Sequence, residues 1–347
     1  MPDTGSGAME IGVVLEAFID WPLDRLLAWL RTSAPEITAI EVGAGGYAPH
    51  PHCDVAGLLA SPQARREWLD AVAEHGFRLD ALNAWGNPLH PDPDIARQHD
   101  EDLRDAIRLA VLLGADRVVA MAGCPGAVPG DQAPHFGAGG WLPYLEGVYE
   151  RQWADEVAPY WSDLAAFAAS ENPELRVCLE LHPGTAVFNT ETFSRVAALG
   201  PAIDANLDPS HFFWMGMDGH KVAAALGERV GHAHGKDTVF HADSLALNGL
   251  LDARWPQPAD KMPWTFAVPG HGHDLGWWTE LIATISGSHA EVISIEHEDP
   301  FVPATTGVPE AAKLLRQAID GARVPRAEGR DAAWTDERGM RGGKAAP

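Results

Sequence analysis

No stretch of this 347-residue chain approaches the roughly 20 consecutive apolar residues that a membrane span requires, yet hydrophobic residues make up 46% of it. That combination predicts a globular protein with a sizeable core and no membrane partner. Basic residues are scarce. Lys and Arg total 25 against 49 Asp and Glu, a formal net charge of −24, and no Lys/Arg-rich run interrupts that balance. Such a surface repels a phosphate backbone, so nucleic acid is not an expected partner. Cysteine is nearly absent: Cys53, Cys124 and Cys178 are odd in number and show no CxxC spacing, which argues against a disulfide framework and against a thiolate zinc site. The start, MPDTGSGAMEIGVV, has no basic segment followed by an apolar one and a small-residue cleavage site, which predicts a cytoplasmic location.

What is present is a repeating alternation. Short apolar runs at Ile11–Glu16, Ile37–Val42, Phe77–Asn83, Arg117–Met121, Arg176–Leu181, Ile203–Leu207, Val230–His234 and Val292–Glu296 are each followed by a helical stretch. The helices are expected at Leu23–Leu30, Gln63–Glu74, Ala96–Leu113, near Trp153–Ala169, Thr190–Leu199, Gly219–Leu226, near Leu275–Ile285 and at Val308–Ile319. Regular βα alternation implies a parallel sheet, and eight units is the number that closes a (β/α)8 TIM barrel. A doubly wound open sheet is the alternative, but it would usually carry a clearer nucleotide loop. The segment Gly43-Ala-Gly45-Gly46 lacks the GxGxxG spacing and reads as a plain turn. The expected organisation is a single barrel domain over residues 1–320 and a disordered tail over 321–347, where both charge signs mix with Gly, Ala and Pro. Long connections from roughly Cys124 to Glu150 and from Gly235 to roughly Asp274 follow strands four and seven, at the barrel face that carries active sites.

Alternate residues of a strand face opposite sides, so a barrel strand should show one set toward the helices and another toward the interior. In strand five, Val177, Leu179 and Leu181 form the outer set, leaving Arg176, Cys178, Glu180 and His182 inward. Strand six places Asp204, Asn206 and Asp208 inward, strand seven His232 and His234, and strand eight Ser294, Glu296 and Glu298. Carboxylates facing one another in a low-dielectric interior repel and take up protons unless a cation sits among them. Glu180, Asp208, His234 and Glu296 all fall at C-terminal strand ends, so barrel closure brings them to one height. Three carboxylates and an imidazole suit one divalent metal ion, Mn²⁺ first, with Mg²⁺ or Co²⁺ as alternatives. His232, one layer deeper, is expected to hold a hydrogen bond. The competing reading is local pairing of each group, for instance Glu180 with Arg176.

At these residues the sequence resembles the sugar phosphate isomerase/epimerase family of xylose isomerase-like TIM barrels. The stretches that carry the resemblance are Leu179-Glu-Leu-His-Pro-Gly184, Ala205-Asn-Leu-Asp-Pro-Ser-His-Phe-Phe-Trp214, Gly231-His-Ala-His-Gly-Lys-Asp237, Asn248-Gly-Leu-Leu-Asp252, Val268-Pro-Gly-His-Gly-His273 and Ser294-Ile-Glu-His-Glu-Asp299. It implies a single catalytic ion on Glu180, Asp208, His234 and Glu296, with the two glutamates flanking the substrate carbon, and His211 near the substrate or serving as a ligand where more metals bind. The same superfamily contains endonuclease IV-like DNA repair enzymes with three zinc ions, a reading that the charge of −24 disfavours.

The chemistry expected is proton transfer next to a carbonyl through an enediolate, with Glu180 and Glu296 as the acid/base pair. Return of the proton epimerises or isomerises a keto-sugar or cyclitol. Loss of a β-oxygen from the same intermediate would make a lyase or dehydratase on a 3-keto-sugar or 3-keto-glycoside, including the metal-bearing subunit of a C-glycoside-cleaving complex. A non-catalytic sugar-binding barrel is a further alternative. His182, His211, Lys236, Trp85, His52, Asn83 and His271 are expected to contact the substrate, the alternatives being a Lys236–Asp237 salt bridge and a loop pinned by His271 and His273. Among thirteen tryptophans, Trp85, Trp141, Trp214, Trp255 and Trp264 fall where an indole face can lie on a sugar ring. No Arg/Lys phosphate clamp is evident, so an unphosphorylated sugar or glycoside is the expected partner, with a homo-oligomer or a partner subunit left open.

Overall fold

Runs of β-branched and apolar residues form β1 (Glu10–Val14), β2 (Ala39–Gly46), β3 (Arg78–Trp85), β4 (Arg117–Met121), β5 (Arg176–Glu180), β6 (Ile203–Leu207), β7 (Val230–Gly235), two short strands β8 (Asp237–Phe240) and β9 (Trp264–Ala267), and β10 (Val292–Ile295). In the computed structural model, which describes residues 9–47, 49–139, 142–254, 258 and 261–323, eight of these strands close into a parallel barrel. Their order around the ring is β1-β10-β7-β6-β5-β4-β3-β2. β8 and β9 pair antiparallel outside it, Asp237 opposite Ala267 and Phe240 opposite Trp264. The second long connection therefore carries a hairpin of its own.

The outer shell is made by α1 (Leu23–Ser33), α2 (Val55–Ala60), α3 (Pro62–Glu74), α4 (Pro93–Leu113), α5 (Val148–Gln152), α6 (Ala158–Glu171), α7 (Thr190–Ala197), α8 (Pro209–Trp214), α9 (Gly219–Leu226), α10 (Ala242–Asn248), α11 (Leu275–Ile285) and α12 (Ala304–Ala322). Their ends follow local chemistry. The Asp92 carboxylate accepts from the Asp94 N–H and Pro93 opens α4, while Gly114, at φ 79°, terminates it in the left-handed region. Asn189 and Thr192 form a reciprocal capping box on α7. α12 runs to Ala322, past the expected domain end at 320, and residues 324–347 of the expected tail lie outside the described residues. None of the helices among the described residues is long and apolar enough to cross a membrane.

Two apolar regions result from strand alternation. The main one lies between strands and helices and includes Val177, Leu179, Ala205, Leu207, Trp161 and Trp278. A small one, Ala81, Val119 and Cys178 beneath Trp85, fills the barrel interior below the polar layer. Trp161 is fully buried and its Nε1–H donates to the Ala122 carbonyl at 3.0 Å. Trp161→Ala removes that indole and leaves both a cavity and an orphaned carbonyl; we expect a loss of about 3–5 kcal/mol in denaturant unfolding.

Candidate metal and active site

The barrel interior is built in layers. In the lower layer, His232 Nε2 lies 2.7 Å from Glu41 Oε2 and its Nδ1 3.4 Å from Asp80 Oδ2. Burial opposes charge on this imidazole, but the Glu41 and Asp80 carboxylates override it and raise its pKa. Burial likewise opposes ionisation of Glu41, and the imidazoles of His234 and His232 hold its carboxyl well below the usual range.

One layer higher, toward the C-terminal strand ends, the potential ligand atoms of Glu180, Asp208, His234 and Glu296 all lie within 4.8 Å of one another, and all four residues are buried. Glu180 closes β5, His234 lies on β7, and Glu296 follows β10. Asp208 follows β6 and is divided between two tasks. Its Oδ1 accepts from the Ser210 N–H at 2.9 Å and caps α8, while its Oδ2 accepts no hydrogen bond even though Lys236 Nζ stands 3.0 Å away. His234 Nδ1 is 2.9 Å from Glu296, 3.6 Å from Glu180 and 3.8 Å from Asp208. Two overlapping groups, Glu41 with His232 and His234, and Glu180 with His182 and His211, converge within the same distance.

Electrostatics show what this crowding costs. Burial raises the Glu180 and Glu296 carboxyls above their ordinary range, against the pull of Lys236 and His234. Burial disfavours a charged His234, yet Glu41 and Glu296 push its pKa well up. Three carboxylates around one imidazole, with Asp208 Oδ2 left without a hydrogen bond, make a donor set that fits a divalent cation. Arg176 does not neutralise Glu180, as local pairing would require: its Nε stands 3.7 Å from Asp204 instead.

A cavity of about 380 Å³ opens over this layer. Four of the residues expected to contact substrate line it: His182, His211, Lys236 and Trp85. His182 Nδ1 lies 2.7 Å from the Pro183 carbonyl, to which it must donate, leaving Nε2 free to accept toward the cavity. His211 Nε2 sits 2.9 Å from Glu180 Oε1. Burial holds both imidazoles neutral, with pKa values lowered to about 4. Lys236 is buried among Asp208, Glu296 and Glu298 at 2.8–3.0 Å and lies 4.5 Å over the Phe266 ring. Asp237 is not among its ion-pair partners.

Asp237 instead gathers the long connection. Its carboxylate accepts from the backbone N–H groups of Gly270, Gly272 and His273 at 2.9–3.1 Å, and from Thr238 N–H and the His273 ring. A Cβ on Gly272 would meet the Thr238 carbonyl oxygen at 2.1 Å, so only glycine permits this turn. Asp237→Ala removes the acceptor of four backbone N–H groups, those of Thr238, Gly270, Gly272 and His273. We expect a loss of about 3 kcal/mol or more, with faster proteolysis between residues 240 and 270 as the check.

Three expected contacts fall elsewhere. His52 is buried with Nε2 2.9 Å from the Trp21 carbonyl, beneath Trp68, and faces the helical shell. Asn83 lies below the cavity, donating to Glu41 Oε1 at 3.2 Å. His271 points outward, 3.5 Å from Glu310 of α12. Trp214 and Trp264 stack on each other with centroids 4.5 Å apart rather than on the cavity, and Trp141 and Trp255 lie outside the described residues. Glu16 and Glu41, which alternation along the first two strand segments would have revealed, also face the interior, as does Asp80, which meets His232 where the β2–β3 register shifts between Ile40 and Glu41 and alternation fails.

Comparison with known proteins gives a consistent result. Residues 38–318 match the family described as xylose isomerase-like TIM barrel. The uncharacterized protein YfiH of Bacillus subtilis (strain 168) is 34% identical over 316 residues, covering 90% of this chain and 99% of that protein. Among solved structures, the probable 3-DHS dehydratase AsbF, involved in petrobactin synthesis, from Bacillus anthracis has a TM-score of 0.62 at 15% identity, with coverage of 89% and 99%. L-ribulose 3-epimerase has a TM-score of 0.58 at 15% identity, covering 91% and 96%. The IOLI protein with a bound zinc atom has a TM-score of 0.56 at 16% identity, covering 90% and 98%. At such identities these structures share the fold, whereas the family match spans most of the chain. This chain belongs to the xylose isomerase-like TIM barrel family.

Proposed function

We propose that the protein is a divalent-metal-dependent isomerase or epimerase of an unphosphorylated keto-sugar or cyclitol, moving a proton next to a carbonyl. The observation that carries this reading is the convergence of Glu180, Asp208, His234 and Glu296, of which Glu180 and Glu296 line a cavity. Glu180, Asp208, His234 and Glu296 would hold the ion, with Mn²⁺ the best match to oxygen-rich donors and Mg²⁺ or Co²⁺ as alternatives. When bound, such an ion supplies positive charge against the negative charge that develops on the substrate oxygens as the adjacent C–H bond breaks.

The chain's own residues do the rest. Glu180 and Glu296 are buried carboxyls that line the cavity, placed to take a proton from carbon and return it. The neutral rings of His182 and His211 and the Lys236 ammonium offer hydrogen bonds to substrate oxygens. Trp85 and Phe266 give flat apolar surfaces for the ring carbons. Lys236 is the one Lys or Arg lining the cavity among the described residues and is already engaged by carboxylates, which supports a substrate without phosphate.

The test is incubation in D₂O with a panel of free ketoses and inososes, following the proton on the carbon beside the carbonyl by NMR, with and without a chelator. We expect metal-dependent loss of that signal for one class. Metal-loaded protein that exchanges no member of the panel would leave a sugar-binding barrel as the better account.

A further inference from the structure

The wall of the cavity formed by the first strands is mostly apolar, with Val14, Ala17, Trp85 and Met121, and it contains one acid, Glu16. Glu16 sits in the 3-10 turn after β1. In the eight-strand ring β1 stands four places from β5, so Glu16 and Glu180 rise from opposite sides of the barrel. Both carboxyl oxygens of Glu16 are buried and accept no hydrogen bond of good geometry among the described residues, its own backbone N–H and the Asn83 amide lying only near enough to be felt electrostatically. Room for this group is made by Gly43, where a Cβ would come within 2.3 Å of Glu16 Oε1. A buried carboxyl without a partner is costly in a folded protein. A ligand oxygen in the cavity would relieve it.

We propose that Glu16 is a proton donor to a leaving oxygen, which equips this cavity for β-elimination from a keto-sugar or keto-glycoside in addition to epimerisation. The inference rests on the proton-abstraction reading above. Glu16 is well suited to hold the proton it would give: burial, reinforced by the nearby Glu41 carboxylate, pushes its pKa up to about 8, against its own backbone N–H and the Asn83 amide. The step balances within the site. A carboxylate on the far wall takes the proton from the carbon beside the carbonyl, and the electron pair of that C–H bond forms a C=C bond. The C–O bond at the next carbon breaks, and the departing oxygen takes the Glu16 proton to leave as water or an alcohol. The product is an α,β-unsaturated ketone; the base is left protonated and Glu16 ionised, and solvent restores both without an oxidant or reductant. An epimerase returning its proton to the same carbon needs no such donor.

Two 3-keto-glucosides differing only in their leaving group provide the test. Methoxide leaves only with a proton, whereas 4-nitrophenolate leaves unaided. Wild type and Glu16→Gln would be compared in D₂O for exchange at C2 and for alcohol release above the uncatalysed rate. We expect Glu16→Gln to release methanol at least about 100-fold more slowly, with C2 exchange and 4-nitrophenolate release within about threefold of wild type. Retention of the last two activities also reports that the variant is folded. Unchanged methanol release overturns the proposal, as does equal loss of both alcohols, which would mark Glu16 as structural. Wild-type exchange at C2 without release of either alcohol overturns it too. A wild type that neither exchanges C2 nor releases alcohol, and exchanges no ketose or inosose, overturns the proton-abstraction reading itself.

Discussion

Glu296→Gln is expected to lower solvent exchange of the substrate's α-proton by about 10³-fold or more, within the range set by loss of a general acid–base group. The amide matches the carboxyl in size but cannot take a proton from carbon. In the native site this carboxyl is buried; burial raises its affinity for a proton, while Lys236 at 2.8 Å and His234 at 2.9 Å pull it back. That balance gives a group able to exist in either form. Glu298→Gln is the control. Glu298 touches the same Lys236, at 2.9 Å, but its side chain is 50% exposed and outside the ligand set, so less than about tenfold is expected. Exchange followed by NMR, with circular dichroism to establish folding, checks both. Undiminished exchange in Glu296→Gln removes Glu296 from the chemistry.

The second large effect concerns His234. Its imidazole is the nitrogen donor of the convergent set and stands within 3.8 Å of four carboxylates, those of Glu41, Glu180, Asp208 and Glu296. His234→Ala should weaken binding of Mn²⁺ by well over the 10- to 100-fold typical of disturbing a ligand's supporting hydrogen bonds. It also strands buried carboxylates, so a loss of stability of about 3–5 kcal/mol accompanies it. Titration of the folded variant with Mn²⁺ by calorimetry distinguishes the effects. His232→Gln, which disturbs only the layer below, should weaken binding less.

Much of this architecture is legible in the sequence because a barrel strand imposes a period of two on residues that differ sharply in polarity. Glu180, Asp208 and His234 announce themselves because Val177, Leu179, Ala205 and Ala233 on the alternate positions are apolar and buried. The same period runs through β2 and on from β1 into the turn that follows it, where Glu41 and Glu16 break apolar runs in the same way. Other misjudged residues depend on contacts distant in sequence. His52 and His271 occupy loops near strand ends, where no period applies, and their partners, Trp21 ahead of α1 and Glu310 of α12, are distant in sequence. The β8–β9 hairpin is set by pairing across a connection of more than 20 residues, beyond the short turns that signal hairpins locally. Trp264, at the start of β9, stacks on Trp214, at the end of α8 and 50 residues earlier.

The central claim is that Glu180, Asp208, His234 and Glu296 hold one divalent ion. Its most direct test is the metal content of the purified protein by mass spectrometry, before and after dialysis against Mn²⁺, Mg²⁺ or Co²⁺. About one ion per chain in the native protein, lost in His234→Ala, is the predicted result. Protein that carries no metal and binds none of these ions on addition would contradict the account.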